Sequence, residues 1–477
     1  MTLDSRSPQS RQSRQSRPSR QSAKRAARRL GKAPPSIMVT LFTFVIVTTY
    51  ICALGYTLVA ASTEVWGGLL LVPVLILITR PLITRAAVAV GDPSVERFLM
   101  VALVLKFVGA VVRYGIAFQT YGGEADAKAY DRAGRILAAG FRAGQYTNFG
   151  TGAIKDTHFI EIVTGVVYAI TGPTQLGGFF VYSWMGFLGL YMFYRAYLLA
   201  VPHGDRKRYA KLLFFLPSLL FRSSSIGKEA WMTMTIGAVA YGAARAFTKK
   251  PFAIVFVGLG LWGTEVVRPH MALLILGGLF PAYLLRRAPK GAPRKQSLKI
   301  LGVAALVVAI IMVLGGVEQR FKVDSANSTT ASQVFDNTQK QTDTGGSNFT
   351  APRVHSPIQF PWAFVTVMFR PFPNEAQTTQ GIVSALEGVF LIFMVIASFD
   401  RLRQLPKELI QTPYVLFVLI YTGVFVWAFS TISNFGILVR ERVQVYPLFF
   451  VILCLPKRKP PEERKRRRGN PALYARR

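Results

Sequence analysis

The stretch YGGEADAKAYDRAGRIL, Tyr121–Leu137, carries three carboxylates and three cations directly after an apolar run. Glu124 and Asp126 stand ahead of a helix that the spacing starts near Ala127, with Asp126 placed as its N-cap. The catalytic reading makes one of them a general base, a task for which a partly desolvated carboxylate can have its pKa raised. It would take the proton of an acceptor hydroxyl. Lys128, Asp131 and Arg135 follow at helical spacing, share one stripe and can pair. Ala129, Ala133, Ile136 and Gly140 form a small, apolar second face. Two readings therefore stand side by side. One is a catalytic pair of acids. The other is a capped surface helix with solvated ion pairs, and Asp131, with its cation neighbours, belongs more to that one.

Other ionisable residues gather in a few short stretches. Asp156 and His158 follow Glu124 in the same polar segment. RSSSIGKEA supplies Arg222, Lys228 and Glu229, and TEVVRPH supplies Glu265, Arg268 and His270. FRPFPNEA supplies Arg370 and Glu375, and NFGILVRERVQVYP supplies Asn434, Arg440, Glu441 and Arg442. Guanidinium groups make bidentate, charge-assisted hydrogen bonds to phosphate and stay charged when partly buried. Arg222, Lys228, Arg268, Arg370, Arg440 and Arg442 are therefore candidate phosphate ligands, suited to stabilise a phosphate or diphosphate leaving group. Each alone also reads as an interface cation reaching toward water. RSSSIGKEA, between two short apolar runs, reads as a re-entrant turn lining a polar cavity. Asp131, Asp156, His158 and His270 are secondary candidates.

No His, Asp and Glu cluster has metal-ligand spacing, so no cofactor is expected, although Glu124 and Asp126 would suit Mg²⁺ or Mn²⁺. There is no P-loop, no GxSxG and no GxGxxG following a strand. NST at Asn327 and NFT at Asn348 fit the glycosylation-acceptor pattern.

Several apolar runs must position these residues. The chain has 477 residues, is 51% hydrophobic and carries a net charge of +34. Crossing a ~30 Å hydrocarbon core takes about 20 helical residues; several apolar runs reach that length and several are shorter. The pattern predicts an all-α, polytopic bundle of about twelve spans from Ile37–Ala61 to Val443–Leu455. Among them are Val65–Thr79, Leu176–Ala200, Leu212–Phe221, Ile300–Val317 and Pro413–Ile432. With the N-terminus inside, Arg80, Arg85, Arg206, Lys207, Arg208, Lys211, Arg401 and Arg403 all fall in inner loops. That places about two-thirds of the Lys and Arg in the cytoplasm, as the positive-inside rule expects.

Phe159–Thr171 is too short to cross and is laid flat at the outer interface. Two large outer segments result, 120–175 and 318–380. Residues 1–36 and 457–477 are basic cytoplasmic tails, the first of low complexity and without a cleavable-signal pattern. They suit anionic lipid head groups rather than nucleic acid. Cys52 and Cys454 fall near opposite faces, so no disulfide is expected. Lys106, Arg113 and Arg195 face the bundle interior or snorkel, with no role assigned.

The first outer segment with its acids, the interfacial helix after it and the basic inner turn together resemble the GT-C fold of integral-membrane glycosyltransferases. The resemblance implies that GGEADAKAY supplies the catalytic base, at Glu124 and Asp126, which here flank Ala125. FLPSLLFRSSSIGKEAWM (Phe215–Met232) and NFGILVRERVQVYPLFF (Asn434–Phe450) are similar to stretches of O-antigen-polymerase-like envelope polysaccharide proteins. That likeness implies that Arg222, Arg440 and Arg442 hold a lipid diphosphate without a metal. It covers about Ser36–Pro456.

The implied function is sugar transfer or polymerisation at the extracytoplasmic face of a bacterial cytoplasmic membrane. The donor would be a polyprenyl-phosphate-linked sugar, and the acceptor a polysaccharide or lipid-linked saccharide. The alternatives are a polysaccharide or lipid-linked-oligosaccharide transporter, or a non-catalytic assembly subunit. Carriers usually show internal repeats and mid-membrane charges, neither of which stands out here.

Overall fold

The computed structural model describes residues 37–60, 63–120, 126–145, 154–286 and 356–457, with scattered positions between 302 and 354. Glu124, Asn327, Asn348 and nearly all of both tails lie outside the described residues, as do several residues of the expected span Ile300–Val317 and most of the second polar segment.

The described chain is all-helical. It begins with α1 (Ile37–Ala60), α2 (Thr63–Leu69), α3 (Leu71–Val90) and α4 (Ser94–Gly115), which ends in a π turn, Ile116–Thr120. α5 (Asp126–Arg142) and α6 (Asp156–Thr171) form a hairpin, followed by α7 (Gln175–Ala200). Next come α8 (Arg206–Phe215), α9 (Pro217–Arg222), α10 (Lys228–Phe247), α11 (Ala253–Val267) and α12 (Pro269–Leu284). The last part holds α13 (Phe360–Phe369), α14 (Thr379–Ile396), α15 (Phe399–Leu402), α16 (Leu405–Gln411), α17 (Pro413–Phe429), α18 (Phe435–Glu441) and α19 (Tyr446–Leu453).

Among the described residues, three helical stretches suit a membrane crossing by length and composition: Thr63–Val90, Gln175–Ala200 and Thr379–Ile396. A fourth results if Leu405–Gln411 and Pro413–Phe429, bent by 117°, count as one. The sequence pattern predicts about twelve spans, and the difference has physical causes. The expected span Leu212–Phe221 is broken at Leu216, whose backbone is extended, because Pro217 has no amide hydrogen to continue the helix. Arg80 and Arg85, expected in a loop, lie inside α3, which runs past Thr79 to a left-handed Gly91. α13, an apolar helix, occupies the end of the expected polar segment 318–380.

α7 is the central rod. Its apolar window is 78% buried, against 22% for Thr63–Val90 and 28% for Thr379–Ile396. It packs along α10, α4 and α2. Glycine permits this closeness: a Cβ on Gly189 would lie 2.3 Å from the Thr233 carbonyl oxygen of α10. Among apolar helices surrounded by apolar solvent, such close approach supplies the dispersion contact that burial alone would not. Tyrosine hydroxyls then tie the rods to carbonyls of neighbours, as in Tyr197 to Cys454 at 2.6 Å and Tyr446 to Met368 at 2.8 Å. α19 is buried along its whole length, consistent with its apolar residues on every side.

Candidate functional site at the Arg440 ion network

α5 starts at Asp126, one residue ahead of the expected Ala127. Its buried face is Ala127, Tyr130, Asp131, Gly134, Ala138 and Phe141, not the Ala129–Ile136 face that composition favours. The reason is specific partners. Gly134 lets Thr164 of α6 approach so closely that a Cβ would sit 2.5 Å from its methyl group. Asp131, 4% exposed, accepts from Tyr168 Oη at 2.5 Å, Gln175 Nε2 at 3.0 Å and Arg135 Nε at 3.0 Å. Arg135 in turn donates to Glu64 at 2.7 Å. Asp131 is thus a buried junction of α2, α5, α6 and α7 rather than part of a solvated surface stripe.

Asp126 faces the other way. Its side chain is 65% exposed, and Arg440 Nη2 donates to it at 2.9 Å. Arg440 Nε reaches Glu229 Oε1 at 2.5 Å, at the start of α10. Glu229 also lies 3.5 Å from Arg268, and Arg268 pairs with Glu441. Gln444 donates to the same Glu441 at 2.7 Å. Four sequence-distant segments therefore close one network: Asp126, Glu229, Arg268 and Arg440–Gln444. Burial and the nearby Asp126 and Glu229 charges push the Tyr130 phenol above its ordinary range.

A second layer lies beside it. Arg222, at the end of α9, interacts electrostatically with Arg442, Arg113, Glu229 and Glu387. Arg113 covers the Phe221 ring at 5.0 Å. Arg442 is fully buried and donates Nη1 to the Arg370 carbonyl at 2.5 Å, while its Nε and Nη2 have no hydrogen-bond partner. Glu387 accepts from the Ser218 amide at 2.8 Å through one oxygen, and its other oxygen is unpartnered. Among the described residues, cations outnumber carboxylates in this layer. Buried charge without compensation is costly, so such a layer favours an anion.

α9 is held by Lys106 of α4. This buried ammonium donates to the carbonyls of Leu219 at 2.8 Å and Leu220 at 3.0 Å, and to Ser223 Oγ at 2.6 Å. A cation at a helix C-terminus satisfies acceptors that the helix leaves open. Ser223 and Ser224 also bond back to Leu219 and Leu220. Gly227 follows at φ 154°, a conformation suited to glycine, and turns the chain into α10. The serines of RSSSIGKEA are therefore buried anchors and not the lining of a polar cavity.

The six candidate cations now divide. Lys228 is paired with Asp156, Arg268 with Glu229 and Glu441, and Arg440 with Glu229 and Asp126. Arg370 is clasped by Glu375 and boxed by the rings of Phe349, Trp362 and Phe435. Burial raises the Glu375 pKa, but the hydrogen bonds from Arg370 and the Phe372 amide outweigh it and hold the carboxyl below its ordinary value. Arg222 and Arg442 form no ion pair among the described residues, and Arg222 has no hydrogen-bond partner among them.

His158 Nδ1 sits 3.1 Å from Glu161, and its Nε2 is buried without a partner. The His270 ring lies 6.5 Å from that of Phe429. Among the described residues no group of three His, Cys, Asp or Glu side chains has the geometry to hold a metal. Glu229 and Glu441 are visible in the sequence as acids beside cations. Glu387 and Lys106 carry a plainer signal, a lone charge within an apolar run, which is expensive unless it has work to do. No protein-family model matches this chain, and neither a curated protein nor a solved structure matches it.

Proposed function

We propose that the protein is a polytopic membrane glycosyltransferase or polysaccharide polymerase of GT-C-like architecture. It acts on a polyprenyl-phosphate-linked sugar at the extracytoplasmic face of a bacterial cytoplasmic membrane. About twelve segments cross, several of them as broken or short helices, and both termini are cytoplasmic. The observation that carries this reading is the convergence of Asp126, Glu229, Arg268 and Arg440 beside Arg222 and Arg442.

In this reading Asp126 is the base. It is open to an acceptor hydroxyl, and Arg440 fixes its carboxylate in place. The acceptor oxygen attacks the anomeric carbon as the bond to the lipid phosphate breaks, and Asp126 takes the hydroxyl proton. Charge growing on the departing phosphate is met by Arg222 and by the unfilled nitrogens of Arg442. Arg268 and Arg440, already paired, hold the carboxylates and do not bind donor directly. Glu124 stays a candidate for the same proton transfer.

The test is turnover of a polyprenyl-diphosphate-linked sugar by the full chain reconstituted in lipid. Asp126→Asn and Arg222→Ala should each abolish or strongly reduce release of the lipid phosphate product. Wild-type turnover in both variants would remove this site from the chemistry.

A further inference from the structure

A cleft of 990 Å³ runs between α8–α9 and α14, away from the ion network. Its walls are apolar: Leu212, Phe215 and Leu216 on one side, and Val383, Leu386 and Phe390 on the other. Along α14 the lining residues extend from Val383 to Ala397 on one face, about 20 Å at 1.5 Å per residue. That is a little more than one ~15 Å leaflet, half of a ~30 Å hydrocarbon core.

One end is cationic. Lys207, Arg208 and Lys211 line it from the first turns of α8. The acid beside them, Asp205, is already neutralised by Arg401 at 2.7 Å and caps α8 by accepting from the Arg208 amide at 3.1 Å. Arg208 is fixed by Ser398 at 2.7 Å and the Met394 carbonyl at 3.1 Å. Lys207 and Lys211 are exposed and form no ion pair among the described residues. The inner end closes on Glu387, which is bound to the Ser218 amide.

We propose that this cleft binds one anionic glycerophospholipid. Its phosphate lies against Lys207 and Lys211, and its acyl chains fill the channel toward Pro217 and Glu387. The charge complementarity is simple: two free ammonium groups at the mouth of an apolar channel of leaflet length. Among the described residues Lys207, Arg208 and Lys211 dominate the mouth and Asp205 is already engaged by Arg401, so selection is by headgroup charge. Each lysine near an anionic lipid surface contributes about 1 kcal/mol, close to a fivefold change in affinity. The cationic mouth is separate from the proposed catalytic layer, which the channel meets at Glu387, and the lipid proposal does not rest on that reading.

Native mass spectrometry of the full chain, titrated with phosphatidylglycerol or phosphatidylcholine, tests it. One phosphatidylglycerol should survive delipidation, and the Lys207→Ala/Lys211→Ala double variant should lose at least about tenfold in affinity. Leu386→Trp, on an exposed wall, should block the lipid while leaving every charge in place. Equal retention of phosphatidylcholine, preferential retention of a polyprenyl phosphate, or wild-type lipid binding in both variants would overturn the proposal. The last result would also assign any bound anionic lipid to the basic tails.

Discussion

Nη2 of Arg440 lies 2.9 Å from Oδ2 of Asp126, a residue 314 positions earlier in the chain. The same guanidinium reaches the buried Glu229. Arg440 therefore couples an exposed acid to an interior one, and its removal should have two separable effects.

In the proposed mechanism Asp126→Asn keeps the shape and removes the base. Turnover should fall by about 10²–10⁴, with unchanged thermal stability in detergent. Arg440→Ala should lower both activity and stability, the latter by about 1–2 kcal/mol, because Glu229 loses its nearest cation. Arg440→Ala combined with Glu229→Gln should recover the stability and not the activity. Paired melting curves and turnover assays separate the two.

Arg222→Ala should raise the donor KM or lower kcat/KM by about 10-fold or more, the value of one charge-assisted contact. The melting temperature should stay level or rise, because the mutation relieves repulsion from Arg442 and Arg113. A large loss of stability would mark Arg222 as a structural cation.

Lys106→Met removes an ammonium bonded to the Leu219 and Leu220 carbonyls. It should cost about 2 kcal/mol or more, read as a lower midpoint in detergent unfolding. Lys106→Arg should not rescue it, because the side chain is 1% exposed and has no room for a planar fork.

The Arg370–Glu375 clasp gives a pH signature. The folded pKa of Glu375 is lowered, so its contribution to stability is full above the ordinary carboxylate value of 4.5. It is lost as pH falls from there through the folded value. Melting temperatures of wild type and Glu375→Gln should differ at neutral pH and converge in acid. A gap that persists unchanged below pH ~3 would contradict the assignment.

The positions of Asp126, Arg268 and Arg440 were legible because ionisable residues beside apolar runs are rarely accidental. Their partners were not, because pairing joins segments hundreds of residues apart and depends on helix rotation. α5 shows the limit. Periodicity selects its small, apolar face for burial, yet Tyr168, Gln175 and Arg135 compensate Asp131 so fully that it turns inward beside Tyr130 and Gly134. Leu212–Phe221 reads as one apolar run, and only Pro217 hints that it is two helices. RSSSIGKEA was legible as unusual, but Lys106, more than a hundred residues earlier, decides what its serines do.

The extended backbone at Leu216 has a mechanical consequence. α8 carries the lysines of the lipid cleft, and α9 carries Arg222, yet no continuous helix transmits torque between them. α9 is clamped instead to α4 through Lys106. In the proposed membrane setting a tug on α8 meets this joint before it reaches Arg222.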